Sequence, residues 1–135
     1  MGMTIIEGTK VLEEWLRENY PTPYPVEVRW SSKIAADRNE PSSVRRRGYF
    51  GECYWVEGKT IIRLSKLRLR QVSFVVDTLQ HEWAHAMTMP NSRVEKALES
   101  RGKNHEHPDE FWLALGRIYR AWWDDPKSPG YKLIR

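Results

Sequence analysis

The residues best suited to chemistry lie in the segment His81-Glu82-Trp83-Ala84-His85. Histidines four residues apart on a helix differ by about 40° around its axis, so both imidazoles project from one face. Such a pair can place one ring nitrogen each on a single zinc ion. Glu82, beside the first histidine, is placed to act as general base on a water that the metal activates. The spacing therefore predicts a hydrolytic site with one Zn²⁺ per chain.

Two histidines leave a catalytic zinc one ligand short, because such sites combine three protein ligands with an open position. All 4 histidines of the chain lie between residues 81 and 107. We expect His107 to be the third ligand, since it directly precedes Pro108 and would be the N-cap residue of the last helix. The alternatives are His105, Glu106, Glu95 and Glu99.

The histidine pair lies within a stretch of helical periodicity. Apolar residues recur every three to four positions from Val72 to Met87, which predicts a long, well-packed helix over 68–88. The complete pattern predicts an α+β fold with an N-terminal helix, a small sheet of three to four strands, this helix and a closing helix that carries the third ligand. The expected elements are a helix over 5–19, a strand over 26–31, a loop over 33–47, a hairpin of strands 49–56 and 60–65, a short helix over 94–100, and a final helix from Pro108 with Phe111, Leu115, Ile118 and Trp122 on its buried face.

Length and composition limit the class of protein. The 135 residues suit a single domain over 1–135, and no apolar run approaches the roughly 18 residues that span a bilayer. The first residues do not read as a signal peptide, so we expect a cytoplasmic protein without a membrane partner. Cys53 is the 1 cysteine of the chain, which excludes an intramolecular disulfide and a multi-cysteine zinc ribbon. We expect Cys53 to be a small strand residue.

Positive charge is concentrated in residues 44–70, where eight Lys and Arg residues face two Glu. A positive stripe of this kind attracts nucleic acid or an acidic partner. Arg45, Arg46 and Arg47 are therefore candidate contacts to DNA. The alternative interpretation is a solvated basic face that keeps a small protein soluble.

The motif pair His81–His85 and His107-Pro108-Asp109-Glu110-Phe111 resembles that of the SprT-like, or Spartan-type, zinc metallopeptidases. In that family an HExxH helix is followed by a loop and a third histidine, which opens a helix with an aromatic residue four positions on. The strand at 60–65 also looks like the one that precedes the active-site helix there. The resemblance covers about residues 26–123, and corresponds to a compact form without a zinc ribbon, as expected of a phage or mobile element.

This resemblance implies a zincin-like fold and a zinc-dependent endopeptidase, with His81, His85 and His107 as ligands and Glu82 as the catalytic acid and base. Proteins associated with DNA are candidate substrates. We expect the strand at 60–65, through Ile62, Arg63 and Leu64, to pair with an extended substrate by β-augmentation.

Two other functions stay open. One is an HExxH peptidase of another lineage, with Glu95 or Glu99 as third ligand, acting on a regulator or a cell-wall peptide. The other is a basic nucleic-acid-binding protein with a structural or vestigial metal site.

Overall fold

A computed structural model describes residues 4–88 and 109–134 of the chain. Within these residues the protein has the expected α+β architecture, with a three-stranded mixed sheet in the strand order β1-β3-β2. The helices are α1 (Ile5–Asn19), α2 (Ser42–Arg47), α3 (Val72–Thr88), α4 (Asp109–Asp124) and α5 (Pro129–Ile134), and the strands are β1 (Val26–Ser31), β2 (Gly51–Val56) and β3 (Lys59–Ser65). The short helix predicted over 94–100 lies outside the described residues. None of the helices in the described ranges is both long and apolar enough to cross a bilayer.

Helix α1 covers the range that its periodicity predicts, and its first turn contains a complete capping box. The Glu7 amide donates to the Thr4 hydroxyl at 3.1 Å, and the Thr4 amide donates to the Glu7 carboxylate at 3.4 Å. Leu12 and Leu16 are fully buried in the same hydrophobic cluster as the sheet and α3. The packed core therefore begins before residue 26.

Strand β3 lies in the centre of the sheet. It runs parallel to β1 and antiparallel to β2. The hairpin between β2 and β3 turns at Glu57 and Gly58, whose φ angles of 44° and 86° give the left-handed conformation that a two-residue hairpin favours. One face of the sheet, which includes Ile62 and Leu64, packs against the helices.

Helix α3 begins at Val72, four residues later than its periodicity predicts. The intervening segment folds as a turn that is held by Ser65. The Leu69 amide donates to the Ser65 carbonyl at 2.9 Å, and the Arg68 amide donates to the Ser65 hydroxyl at 3.2 Å. Leu69 lies in this turn and its side chain is buried in the core, so its apolar character does not indicate a longer helix.

One further segment differs from the sequence predictions, and the end of the chain adds a helix. Residues 33–47 were expected to form a loop, but Ser42–Arg47 form the helix α2, which buries none of its side chains. The chain after Asp124 forms α5 and packs back onto α4. Gly130 is required there, because a Cβ at this position would lie 2.4 Å from the Trp122 indole.

The tryptophan inside the histidine motif has a structural role. Trp83 is buried, and its indole N–H donates to the Tyr20 carbonyl at 2.9 Å. This bond joins α3 to the end of α1. Because the carbonyl is buried beside the ring, losing its donor costs more than an exposed hydrogen bond would.

We expect Trp83→Phe to lower the free energy of unfolding by about 1–3 kcal/mol, because it keeps an aromatic ring but leaves the Tyr20 carbonyl without this donor. Urea denaturation followed by circular dichroism measures the change. Trp55→Phe is the matched control, since Trp55 is 42% exposed on β2 and should change stability little. Equal stabilities for Trp83→Phe and the wild type would show that the bond does not hold the two helices together.

Candidate metal centre

Helix α3 brings His81 and His85 together on one face, as their spacing predicts. Their ring centroids are 5.0 Å apart with an angle of 70° between the planes. Both side chains are half-buried. The two imidazoles are therefore close together and partly exposed to solvent, an arrangement that suits a shared metal ion.

The first turn of α4 lies directly against the histidine pair. The Phe111 ring is fully buried, with its centroid 4.9 Å from that of His81 and 4.3 Å from that of His85. Helix α4 begins at Asp109, two residues after His107 in the sequence. The helix that His107 precedes therefore starts beside the two rings. His107 itself, and the alternatives His105, Glu106, Glu95 and Glu99, lie outside the described residues.

Glu82 projects from α3 towards β2 and is only 7% exposed. The contact between helix and strand is close, and Gly51 makes it possible. A Cβ at Gly51 would lie 2.8 Å from Thr78 Cγ2 and 3.5 Å from Glu82 Cγ. Burial, and to a lesser extent the Glu52 carboxylate, raises the pKa of Glu82 from 4.5 to about 8. A buried carboxyl with this proton affinity is suited to exchange a proton near neutral pH.

Cys53 lies on β2 near Glu82, where sequence analysis expected a small strand residue. Burial raises the pKa of its thiol well above 9.0, and the Glu82 and Glu52 carboxylates raise it further. Reactive cysteines require the opposite environment, which stabilises a thiolate. The structure therefore supports a packing role for Cys53.

The described residues include no group of three side chains that could hold a metal. The site that they define has two neighbouring imidazoles and a buried carboxyl next to them. Neutral imidazoles are good zinc ligands, and catalytic zinc sites often have a carboxyl beside their histidines that is not itself a ligand. Among the described residues two imidazoles are therefore available to a zinc ion, and a third protein ligand is not among them.

The prediction that Ile62, Arg63 and Leu64 pair with a substrate is wrong. Strand β3 is paired along its length with β1 on one side and with β2 on the other, so its backbone groups are already used. Ile62 and Leu64 are also fully buried. Arg63 faces the other side of the sheet, where its guanidinium donates to the Glu52 carboxylate at 2.6 Å and to the Ser31 hydroxyl at 3.0 Å.

Strand β2, and not β3, borders the site. Its one partner among the described strands is β3, so the edge that faces away from β3 has no strand beside it in that part of the chain. Strand β2 also approaches α3 at Gly51, next to Glu82. An extended chain that adds to the sheet beside Glu82 must therefore pair with β2.

Part of the positive charge of the basic segment 44–70 is paired with carboxylates on the sheet. Arg63 binds Glu52, and Lys59 binds Glu27 at 3.1 Å on the outer side of the sheet. The candidate DNA contacts Arg45, Arg46 and Arg47 are exposed on α2. The contact of these arginines with DNA stays a prediction.

Sequence analysis missed an exposed aromatic pair at one end of the contact between β2 and α3. Phe50 is 39% exposed and Phe74 is 41% exposed, with ring centroids 6.1 Å apart in an edge-to-face arrangement. The Arg68 guanidinium lies 4.0 Å from the centroid of Phe50. The signal available in the sequence was Phe74 itself, an aromatic residue outside the apolar stripe of the predicted helix.

Comparison of the whole chain with protein-family models, with curated proteins and with solved structures finds no match. The interpretation of the site therefore depends on its residues, their spacing and their geometry.

Proposed function

We propose that the protein is a zinc-dependent endopeptidase of the SprT-like type, with a zincin-like arrangement of its sheet and active-site helix. The observation that carries the proposal is the position of Glu82. Its carboxyl is buried beside an imidazole pair and next to the outermost strand of the sheet. These are the parts that metal-assisted peptide hydrolysis requires: ligands, a general base and a backbone to align the substrate.

In this proposal His81, His85 and His107 hold the zinc ion. A zinc ion in such a site supplies Lewis acidity, which polarises a carbonyl and makes water a nucleophile near neutral pH. Phe111 packs against both histidine rings and restricts their orientations. Restricting the ligands in this way favours one coordination geometry over others.

Glu82 transfers the protons. Its buried carboxylate takes a proton from the attacking water, and the resulting carboxylic acid gives that proton to the leaving amine. The peptide bond between carbonyl carbon and nitrogen breaks, and the products are a new carboxylate and a new amine. Burial strengthens Glu82 as a base because it disfavours the charged carboxylate.

The substrate is an extended peptide that pairs with the edge of β2. Pairing through the backbone holds peptides of many sequences, and side chains of the peptide alternate between the two sides of the extended strand. Strand β2 takes this role because β3 is enclosed by its neighbours. The scissile bond would lie at the level of Glu82.

The exposed arginines of α2 favour a second candidate function, a nucleic-acid-binding protein in which the metal site is structural. Arg45, Arg46 and Arg47 carry three positive charges on a helix that buries no side chain. The two functions also combine in a peptidase that acts on DNA-associated proteins. Removal of the Glu82 carboxyl distinguishes the two functions. A peptidase would lose turnover, and a protein that only binds nucleic acid would keep its function.

The metal content of the purified protein tests the proposal first. We expect elemental mass spectrometry to find about one zinc per chain in the wild type, a loss in His107→Ala, and full retention in Glu99→Ala. Retention in His107→Ala with loss in Glu99→Ala would instead favour an HExxH peptidase of another lineage. A wild type that holds no metal after zinc is supplied and the excess removed would contradict the peptidase proposal.

A further inference from the structure

We propose that Phe50 and Phe74 form a specificity subsite that selects substrates with a large apolar side chain, followed by an acidic residue, about three positions carboxyl-terminal of the scissile bond. This inference rests on the proposed peptidase function, since it assigns the peptide chemistry that the same site accepts.

The first observation is that the aromatic pair lies at one end of the contact between β2 and α3. Phe50 immediately precedes β2, and Phe74 lies in the first turn of α3. Neighbouring residues follow the same order on the two elements. Phe50 contacts Phe74, Gly51 lies against Thr78, and Cys53 lies near Glu82. The aromatic pair and Glu82 therefore lie along one line of contact between β2 and α3, and the proposed peptide groove follows this line.

The second observation is the distance along this groove. Phe74 precedes Glu82 by two helical turns, a rise of about 12 Å at 1.5 Å per residue. An extended peptide covers that distance in about three to four residues. Phe50, just before β2, likewise precedes Cys53 by three residues. Both estimates place a peptide side chain at the aromatic pair about three positions from the scissile bond.

The orientation follows from strand pairing. Antiparallel pairing is more stable per residue than parallel pairing, so the bound peptide should run opposite to β2. Its carboxyl-terminal part then extends from Glu82 towards Phe50. The residue that meets the aromatic pair lies on the leaving-group side of the scissile bond.

The chemistry of the subsite selects both the side chain and the charge that follows it. Two phenylalanine rings exposed by 39% and 41% offer apolar area that a large apolar side chain would cover. Arg68 lies over Phe50 and donates to the Gly48 carbonyl at 2.6 Å, which fixes a positive charge at this end of the groove. An acidic residue after the apolar one complements that charge.

Binding of labelled peptides in a catalytically inactive background tests the subsite separately from catalysis. All variants carry Glu82→Gln, are loaded with zinc, and are titrated by fluorescence anisotropy with peptides that contain Phe-Asp, Ala-Asp or Phe-Lys at the third and fourth positions after the cleavage site. We expect Phe-Asp peptides to bind about tenfold more tightly than Ala-Asp peptides, and Phe74→Ala to remove that difference. Phe74→Leu should restore most of it, and the Phe-Lys peptide should bind more weakly than Phe-Asp.

Trp123→Ala is the matched control, because Trp123 is 39% exposed on α4 and is not part of the groove. It should leave the preference unchanged. Equal affinities for Phe-Asp and Ala-Asp peptides, or an unchanged preference in Phe74→Ala, would overturn the subsite, as would the absence of binding by every peptide. Cleavage of the same peptides by the wild type is measured in parallel. Cleavage without a Phe74-dependent preference would refute the subsite and retain the peptidase function. Preferential binding without cleavage would retain the subsite and refute the peptidase function.

Discussion

Replacing Glu82 by Gln is expected to lower kcat/KM for peptide hydrolysis by at least about 10²–10⁴-fold, the range typical of a lost general acid–base group. Gln keeps the size and planarity of the side chain but cannot take up and release a proton. The side chain is 7% exposed and lies close to Gly51, so an isosteric change is needed to preserve the contact with β2. Initial rates on a quenched peptide give kcat and KM separately, and the change should lie mainly in kcat.

The zinc content of Glu82→Gln should equal that of the wild type, because the proposed ligands are unchanged. Glu14→Gln is the matched control, since Glu14 is an exposed carboxylate on α1 and should leave hydrolysis unaffected. Full activity in Glu82→Gln would remove Glu82 from the mechanism. Loss of both zinc and activity would assign it to metal binding instead of proton transfer.

The sequence predicts individual elements of this fold well because their signals are local. The Thr4 and Glu7 capping box and the apolar spacing after it specify α1 without reference to the remaining chain. The start of α3 is less predictable. The apolar residue Leu69 fits the helical pattern but packs into the core from a turn that the Ser65 hydroxyl and carbonyl hold.

The candidate site residues His81, Glu82 and His85 follow from a four-residue spacing, which is a local signal in the sequence. The strand that is proposed to pair with a substrate is not predicted by a local signal. Ile61 to Leu64 are β-prone and apolar except for one arginine, which is typical of either a central or an outer strand. The position of β3 in the middle depends on β1 pairing across a long connection, and no local pattern reports this pairing.

The contact between Phe50 and Phe74, which forms the proposed subsite, is also invisible to local patterns. Phe50 and Phe74 are 24 positions apart in the chain. Their contact arises because β2 runs beside α3 in the folded protein. Periodicity relates residues within one helix or strand, so it identifies the core face of α3. It does not show which residue of another element an exposed residue contacts.

The stability of the protein without metal should depend strongly on the ionisation of Glu82. Its pKa is raised from 4.5 to about 8, chiefly by burial, so folding takes up a proton between these two pH values. Below about pH 4.5 the carboxyl is neutral in both folded and unfolded chains. As the pH rises towards 8 the unfolded chain releases the proton while the folded chain retains it, and the folded state therefore loses stability.

We expect chelator-treated wild type to lose a few kcal/mol of unfolding free energy relative to Glu82→Gln between pH 4.5 and pH 8.5, at about 1.4 kcal/mol per pKa unit. His81 and His85 lie on the same helix and are present in both proteins, so the difference between the two proteins isolates Glu82. Urea denaturation at pH 4.5, 6.5 and 8.5 measures it. The two proteins should be similar in stability at the lowest pH, with Glu82→Gln increasingly the more stable above it. A difference that stays constant with pH would show that the folded protein accommodates the Glu82 charge, and that the carboxyl is less desolvated than its burial between α3 and β2 requires.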